Sequence, residues 1–234
     1  MQLSHSHRFV FVHIFKTGGT SMRSVFEPLT ERPGYRLWRK FRTRLGSPPP
    51  ARYPRLSAHA RAIEIRDAVP SDVFANYFKF AFVRNPWDWQ VSWYHYVLQN
   101  REHHEHEAVT RLNGFEEFLS WRMDHPVWHQ RDFVVDERGE CMVDFVGRFE
   151  SIQADFEHVC AAAGIEAQLP HLNKSQHKDY RDYFSDRAIH LVEAYSKTDI
   201  EFFGYRFDPM AEEELILPLR DFAGDKAARR QLAA

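Results

Sequence analysis

The segment FVFVHIFKTGGTSMRSVF, residues 9–26, constrains the fold of this chain more than any other stretch. Its first part, Arg8 to Ile14, is apolar at successive positions and rich in β-branched and aromatic residues, which predicts a central strand covered by helices on both faces. Beyond two adjacent glycines the apolar residues recur at helical spacing, and Pro33-Gly34 is expected to end that helix. The segment therefore predicts a strand, a glycine-containing turn and a helix.

A second segment repeats this organisation further along the chain. The run YFKFAFVRNP, Tyr77 to Pro86, has the composition of another buried strand. Asn85 is a candidate N-cap and Pro86 suits a first helical turn, so the following PWDWQVSWYHYVLQN is expected to be a helix. Two such units predict an α/β fold with parallel strands, helical crossovers and a ligand site at the carboxyl ends of the strands.

Length and composition limit the class of protein. A chain of 234 residues with 44% hydrophobic and 27% charged residues is expected to form one soluble globular domain, 1–234. Residues 31–57, which contain five prolines, are expected to form an irregular basic insertion, and 208–234 a peripheral C-terminal segment. The sequence shows neither a membrane-spanning run nor a secretory leader, so a cytoplasmic location is expected. Cys141 and Cys160 are expected to be buried free thiols.

The charge of the chain is distributed unevenly. The net charge of −2 argues against general nucleic-acid binding, yet the segment from Arg32 to Arg66 holds ten Lys or Arg residues against one acid, Glu64. This segment is either a solvated surface excursion or a surface that steers an anionic partner towards the protein.

The turn after the first strand has the residues of a phosphate site. A loop that opens a helix presents unpaired backbone N–H groups and the positive end of the helix dipole. The glycines let the backbone approach an anion, and the hydroxyl residues and a lysine add donors. The six residues are Lys16, Thr17, Gly18, Gly19, Thr20 and Ser21. Because the lysine precedes the glycines, the loop departs from the Walker A pattern of magnesium-dependent nucleotide kinases.

The second strand ends in a further candidate anion ligand, Arg84. Ser92 follows eight residues later, inside the predicted helix, and a strand-end arginine and a helix hydroxyl can converge on one phosphate.

The pair of motifs HIFKTGGTS and FVRNPWDWQVSWY resembles the nucleotide-binding motifs of sulfotransferases that use 3′-phosphoadenosine 5′-phosphosulfate (PAPS), in the branch of carbohydrate 2-O-, 6-O- and chondroitin-type enzymes and their bacterial relatives. VDFVGRFESIQADFEHVC, LPHLNKS and DIEFFGYRF are also similar to that branch, so the resemblance covers most of 9–207. It implies a three-layer, P-loop-like fold with a central parallel sheet, and a transfer that requires no metal.

The resemblance also implies roles for individual residues. The Lys16 to Ser21 loop would hold the 5′-phosphosulfate, with Lys16 at the bridging oxygen, and Arg84 and Ser92 would hold the 3′-phosphate. His59, in LSAHARA, matches the position of a general base. Lys174 and Ser175 would close over the nucleotide. The acceptor would be a hydroxyl compound. The basic segment favours an anionic saccharide or glycan, while a lipid-linked glycan or a small metabolite with a hydroxyl group stays compatible. Adenosine 3′,5′-bisphosphate (PAP) would be the second product.

Two positions depart from the family pattern: Phe15 stands where proline is usual, and Trp89 where a second arginine is common. Two other functions stay open from the sequence, a P-loop-like nucleotide-dependent kinase and a non-catalytic anion-binding module. The run REHHEHE, Arg101 to Glu107, matches no metal-binding spacing and is expected to be a polar loop, so no metal ligand is predicted.

Overall fold

A computed structural model of the chain describes residues 1–30, 56–125, 128–170 and 178–208. The strands are β1 Gln2–Ser4, β2 Phe9–Val12, β3 Phe78–Val83 and β4 Phe145–Arg148. The α-helices of these residues are α1 Gly19–Phe26, α2 Ala62–Ala68, α3 Ser71–Asn76, α4 Pro86–Gln99, α5 His106–Thr110, α6 Phe115–Met123, α7 Ile152–Ala163, α8 Asp186–Tyr195 and α9 Lys197–Phe203. Short 3-10 helices lie at Glu27–Leu29, Arg131–Phe133 and Tyr180–Tyr183.

The four strands form one sheet in the order β1-β2-β3-β4. β2, β3 and β4 run parallel, with Phe11 opposite Phe80 and Phe80 opposite Phe145, whereas the edge strand β1 is antiparallel to β2. The predicted α/β fold with a parallel sheet flanked by helices is confirmed. The antiparallel edge strand is an addition that the sequence did not indicate.

Helices cover the sheet on both faces, which gives three layers. Because successive side chains of a strand point to opposite faces, the aromatic residues of β2 and β3 pack on one side and the aliphatic residues on the other. Phe9, Phe11, Phe80 and Phe82 form a core with α1 and α7, while Val10, Val12, Ala81 and Val83 form a core with α2, α4, α6 and α8. Both faces of the central strands are therefore buried, as the uninterrupted apolar runs predicted.

Helix α1 is shorter than the sequence suggested. It ends at Phe26 and continues as the 3-10 turn Glu27–Leu29, with Pro28 in its first turn. Pro28 has no backbone N–H to continue the α-helical hydrogen bonds. The expectation that Pro33-Gly34 ends this helix was wrong for that reason.

The second strand-turn-helix unit forms as predicted. The Asn85 side chain accepts hydrogen bonds from the N–H groups of Trp87 (3.0 Å) and Asp88 (3.4 Å), and Pro86 occupies the first turn of α4. The parallel strands β2 and β3 therefore end side by side, and the loops that follow them share one edge of the sheet.

The irregular basic insertion expected at 31–57 and the peripheral segment expected at 208–234 fall almost wholly outside the described residues. None of the described helices has the length and apolar character needed to cross a bilayer.

Candidate active site

The loop between β2 and α1 is held in an uncommon backbone conformation. Lys16 has φ 63° and Gly18 has φ 82°, both in the left-handed region, which a lysine seldom adopts. The Thr17 hydroxyl is fully buried and donates a 2.9 Å hydrogen bond to the carbonyl of Ile14. Thr17 therefore braces the loop, and its hydroxyl, expected to be a phosphate donor, does not line the cavity. Thr20 and Ser21, at the start of α1, do line it.

The two glycines of the loop are required by protein packing. A Cβ on Gly19 would lie 1.7 Å from Nε2 of His13, and a Cβ on Gly18 would lie 2.4 Å from Cδ1 of Ile152. From the sequence, these glycines were expected to let the backbone approach an anion. In the structure, neighbouring side chains fill the Cβ positions instead, so a larger residue at either position would displace the loop.

Arg84 joins the two motifs. Its side chain is almost fully buried, lies over the ring of Phe149, and places Nη1 3.4 Å from the carbonyl oxygen of Lys16. Asp88, one helical turn further on, accepts from Nε at 2.6 Å and from Nη2 at 2.9 Å. Asp88 thus orients the guanidinium, and two of its five N–H donors are engaged in that pair.

The backbone of Arg84 is secured by a residue that the sequence did not single out. The buried amide of Gln130 accepts from the N–H of Arg84 and donates to its C=O, both at 2.8 Å. Buried Asp199 in turn accepts from the N–H groups of Gln130 (2.9 Å) and Arg131 (2.8 Å). Gln130 belongs to none of the segments that the sequence singled out, whereas Asp199 begins DIEFFGYRF. That segment carried the family resemblance, but nothing in it indicated a contact with Gln130.

The ammonium group of Lys16 lies over the ring of Tyr96, 4.3 Å from its centroid. Burial, and secondarily the positive charge of Arg84, lower the pKa of Lys16 to about 8. A bound anion would oppose this shift, because it favours the charged form of the lysine.

His59 lies beside the same loop with a defined tautomer. Its Nδ1 is 3.0 Å from the carbonyl oxygen of His13. A carbonyl can only accept, so Nδ1 carries the proton and Nε2 keeps a free lone pair. Burial lowers the pKa of His59 and outweighs this hydrogen bond, which raises it. His59 is therefore neutral near pH 7, and Nε2 can accept a proton.

His13 is placed differently. Its ring packs against Gly19 and lies 4.5 Å from the ring of His59, and burial, followed by the charge of His59, lowers its pKa to about 3. Its ring also lines the cavity, and its contact with Gly19 braces the start of α1.

These groups open onto one cavity of about 1180 Å³, a volume large enough for a nucleotide. Of the predicted site residues that the structure describes, all but Thr17 line this cavity: Lys16, Gly18, Gly19, Thr20, Ser21, His59, Arg84 and Ser92. Lys174 and Ser175 lie outside the described residues. Lys178, Asp179 and Tyr180, which follow them in the sequence, also line the cavity.

One side of the cavity is aromatic. Phe15, Trp93, Tyr96 and His103, which we call the aromatic wall, contact one another in a continuous series with ring centroids 5.1–5.6 Å apart. His59 meets the Phe15 end of the wall at 5.9 Å. The wall therefore extends from His59 to the ring over which Lys16 lies.

The two departures from the family pattern contact each other. The indole N–H of Trp89 donates a 2.8 Å hydrogen bond to the carbonyl of Phe15, and the two rings lie 4.8 Å apart. Trp89 thus fixes the residue that precedes the Lys16 to Ser21 loop through a backbone hydrogen bond and ring packing.

The run Arg101 to Glu107 is mainly structural. Glu105 accepts from Trp93 Nε1 at 2.9 Å and pairs with buried Arg122 at 3.1 Å, and His106 begins α5. Within the described parts of the chain, no group of three or more His, Cys, Asp or Glu side chains is arranged to hold a metal.

Comparison with known proteins agrees with this geometry. A search among curated proteins found no match. The family model described as "Sulfotransferase family" matches residues 1–206, which include both strand-turn-helix units and every residue of the cavity. The chain therefore belongs to the sulfotransferase family.

Proposed function

We propose that this sulfotransferase moves the sulfuryl group of PAPS to a hydroxyl of an acceptor and releases PAP. The observation that carries the proposal is the meeting of both motifs in one cavity, where the Arg84 guanidinium reaches the Lys16 carbonyl and His59 lies beside the same loop. Two cationic side chains suit a nucleotide with phosphates at both ends, and the neutral imidazole suits proton removal from an alcohol.

The residues present fit the nucleotide. The N–H groups at the start of α1, the hydroxyls of Thr20 and Ser21 and the ammonium of Lys16 would hold the 5′-phosphosulfate. The N–H donors of Arg84 that Asp88 does not use, together with Ser92, would hold the 3′-phosphate. Lys174 and Ser175 remain predicted to close over the nucleotide.

His59 and Lys16 have separate roles in the proposed transfer. When bound, PAPS supplies a sulfuryl group whose bond to the 5′-phosphate oxygen breaks as the acceptor oxygen bonds to sulfur. Nε2 of His59 takes the proton from the acceptor hydroxyl, and Lys16 stabilises the negative charge that grows on the leaving oxygen. The loop N–H groups hold the reacting atoms in line.

The acceptor is proposed to be an anionic saccharide or glycan. The support is the basic segment Arg32 to Arg66, with ten cationic residues against one acid. Arg61 and Arg66 are its described cationic members. Arg61 lies over the exposed ring of Trp128 at 4.3 Å, and Arg66 pairs with Glu137 at 2.8 Å. Arg61 also pairs with Glu64 at 3.1 Å, so it combines an ion-paired guanidinium with an exposed aromatic surface.

The family match favours sulfuryl transfer over the kinase alternative. Because Lys16 supplies a fixed cation at the leaving oxygen, we propose that no metal is required. Sulfuryl transfer that persists in EDTA supports this, and sulfuryl transfer that requires magnesium would contradict it. Magnesium-dependent hydrolysis of ATP would favour the kinase.

The test combines binding and transfer. Calorimetry with PAP and a radiolabelled PAPS assay against chondroitin, N-acetylheparosan and small alcohols should show binding and transfer in the unmodified protein. Lys16→Ala should lower transfer by about 10² to 10³. Absence of PAP binding would overturn the proposed donor, and PAP binding without transfer to any acceptor would favour the anion-binding module.

A further inference from the structure

His103, in a loop that the sequence marked only as polar, contributes a side chain to the cavity. Its ring lines the same space as Lys16 and His59 and packs edge-on against Trp93 (5.3 Å) and Tyr96 (5.5 Å). The adjacent His104 is 82% exposed in its side chain and is not among the residues that line the cavity. Two neighbouring histidines therefore have different environments, and only one faces the site.

A backbone hydrogen bond sets the tautomer of His103. The N–H of Glu105 donates to Nδ1 of His103 at 3.2 Å. Nδ1 is thus an acceptor and carries no proton, so the neutral ring holds its proton on Nε2. Burial lowers the pKa of His103, which favours this neutral form. His103 is therefore a hydrogen-bond donor through Nε2, whereas His59 is an acceptor through Nε2.

The aromatic wall connects these two histidines. Phe15 contacts His59 at one end, and Trp93 contacts both Phe15 and His103. Tyr96, next to His103, carries the ammonium of Lys16 on its ring. An acceptor whose hydroxyl lies between His59 and Lys16, and which extends along the wall, would reach His103.

We propose that His103 is a specificity-determining residue of the acceptor site, which donates Nε2–H to an oxygen on the part of the acceptor that lies along the aromatic wall. This inference rests on the proposed function. It assigns to the acceptor a hydrogen-bond-accepting oxygen at some distance from the hydroxyl that is sulfated, because two rings separate His103 from His59; the hydroxyl, carboxylate and amide oxygens of a glycan supply such groups.

Two substitutions separate contact with the acceptor from support of the loop. In His103→Asn, the side-chain oxygen can still accept from the N–H of Glu105, as in an Asx-turn, but the side chain is too short to replace Nε2–H. In His103→Gln, the amide can place an N–H near the position of Nε2 but does not reproduce the short-range loop bond. An acceptor role and a purely structural role therefore predict opposite orders of activity.

The assay uses the full chain with radiolabelled PAPS and chondroitin or N-acetylheparosan as the probe. We expect H103N to raise the KM for the glycan about threefold to tenfold, the usual effect of losing one hydrogen bond, and H103Q to stay within about twofold of the unmodified protein. H104N is the matched control from the same loop and should leave the KM unchanged.

The affinity for PAP, measured by calorimetry, should be the same in all variants. If the unmodified protein does not bind PAP, that result counts against the proposed function. Three patterns of the KM for the glycan would overturn the role of His103: a KM raised only in H103Q, a KM raised equally in both variants, or a KM raised in neither. Weaker PAP binding in H103N would also overturn it. So would a protein that binds PAP but transfers sulfuryl to neither glycan.

Discussion

One backbone carbonyl, that of His13, sets the chemistry available to His59. The hydrogen bond from Nδ1 leaves the lone pair of Nε2 available on a ring that lines the cavity. His59→Ala removes that acceptor, so we expect the rate of transfer to fall by about 10² to 10³ while the affinity for PAP stays near that of the unmodified protein. Steady-state assays and calorimetry check the two parts. His125→Ala, at an exposed histidine, serves as the control. Unimpaired turnover in H59A would exclude His59 from the mechanism.

The pKa values of His59 and Lys16 predict the pH dependence of transfer. The pKa of His59 lies below its usual 6.5, so protonation of the base should lower kcat/KM only in acid below that value. The pKa of Lys16 in the free protein is about 8, so loss of its charge should lower kcat/KM above that pH. The profile should be bell-shaped. His13, whose pKa is about 3, stays neutral across this range.

Lys16→Arg tests the assignment of the alkaline limb. Arginine keeps its charge well above pH 10, so this variant should be slower but should lose the decline above pH 8 that the Lys16 pKa sets. A decline that persists unchanged in Lys16→Arg would assign it to a different group.

At the scale of the element, the start of α1 depends on the fit between a glycine and a histidine ring. Gly19→Ala should abolish PAP binding, because the added Cβ would lie 1.7 Å from His13 Nε2. The double variant Gly19→Ala/His13→Ala removes the obstructing ring and should restore much of the affinity, since Gly19 itself does not have a positive φ.

Gly164→Ala provides the comparison for this prediction. Gly164 caps α7 with φ 64°, and an added Cβ there would meet no other atom within 4 Å, so its substitution should cost about 1 kcal/mol of stability and leave binding intact. A double variant that remains as weak as Gly19→Ala would show that something other than His13 demands a glycine.

At the scale of the whole molecule, Asp199 links helix α9 to the edge of the sheet where Arg84 lies. It is fully buried and accepts from the N–H groups of Gln130 and Arg131. Asp199→Asn replaces one carboxylate oxygen with a donor, so one N–H loses its partner. We expect the free energy of unfolding to fall by about 1–3 kcal/mol in urea titrations. Glu201→Gln, on the same helix, should change it by less than about 1 kcal/mol, since its ion pair with Lys197 is exposed. Equal effects would contradict the proposed link.

The sequence predicted the parts of this molecule that depend on local pattern. Both strand-turn-helix units are present because apolar runs, glycines and the Asn85-Pro86 cap act over a few residues. The register of parallel strands then brought Arg84 to the Lys16 loop, as the rule for strand ends requires. Pattern reading misjudged the end of α1, where Pro28 acts earlier than the Pro33-Gly34 pair.

What the sequence could not supply depends on contacts between distant residues. The support of Arg84 by Gln130 spans 46 residues, and the bond from Gln130 to Asp199 spans 69. Thr17 was expected to be a phosphate donor by residue type, yet its hydroxyl bonds inside the loop. His103 could not be distinguished from His104 by spacing, because the difference arises from which ring packs on Trp93 and Tyr96.

The paired amide bonds between Gln130 and Arg84 have a consequence for how a ligand is received. They satisfy both main-chain groups of Arg84 as a neighbouring strand would, one residue beyond the end of β3 at Val83. The arginine is thereby preorganised, and little ordering entropy is lost there when an anion binds. Under the proposed function, the 3′-phosphate would meet a guanidinium that already has its final position and would bind without rearrangement of this end of the cavity.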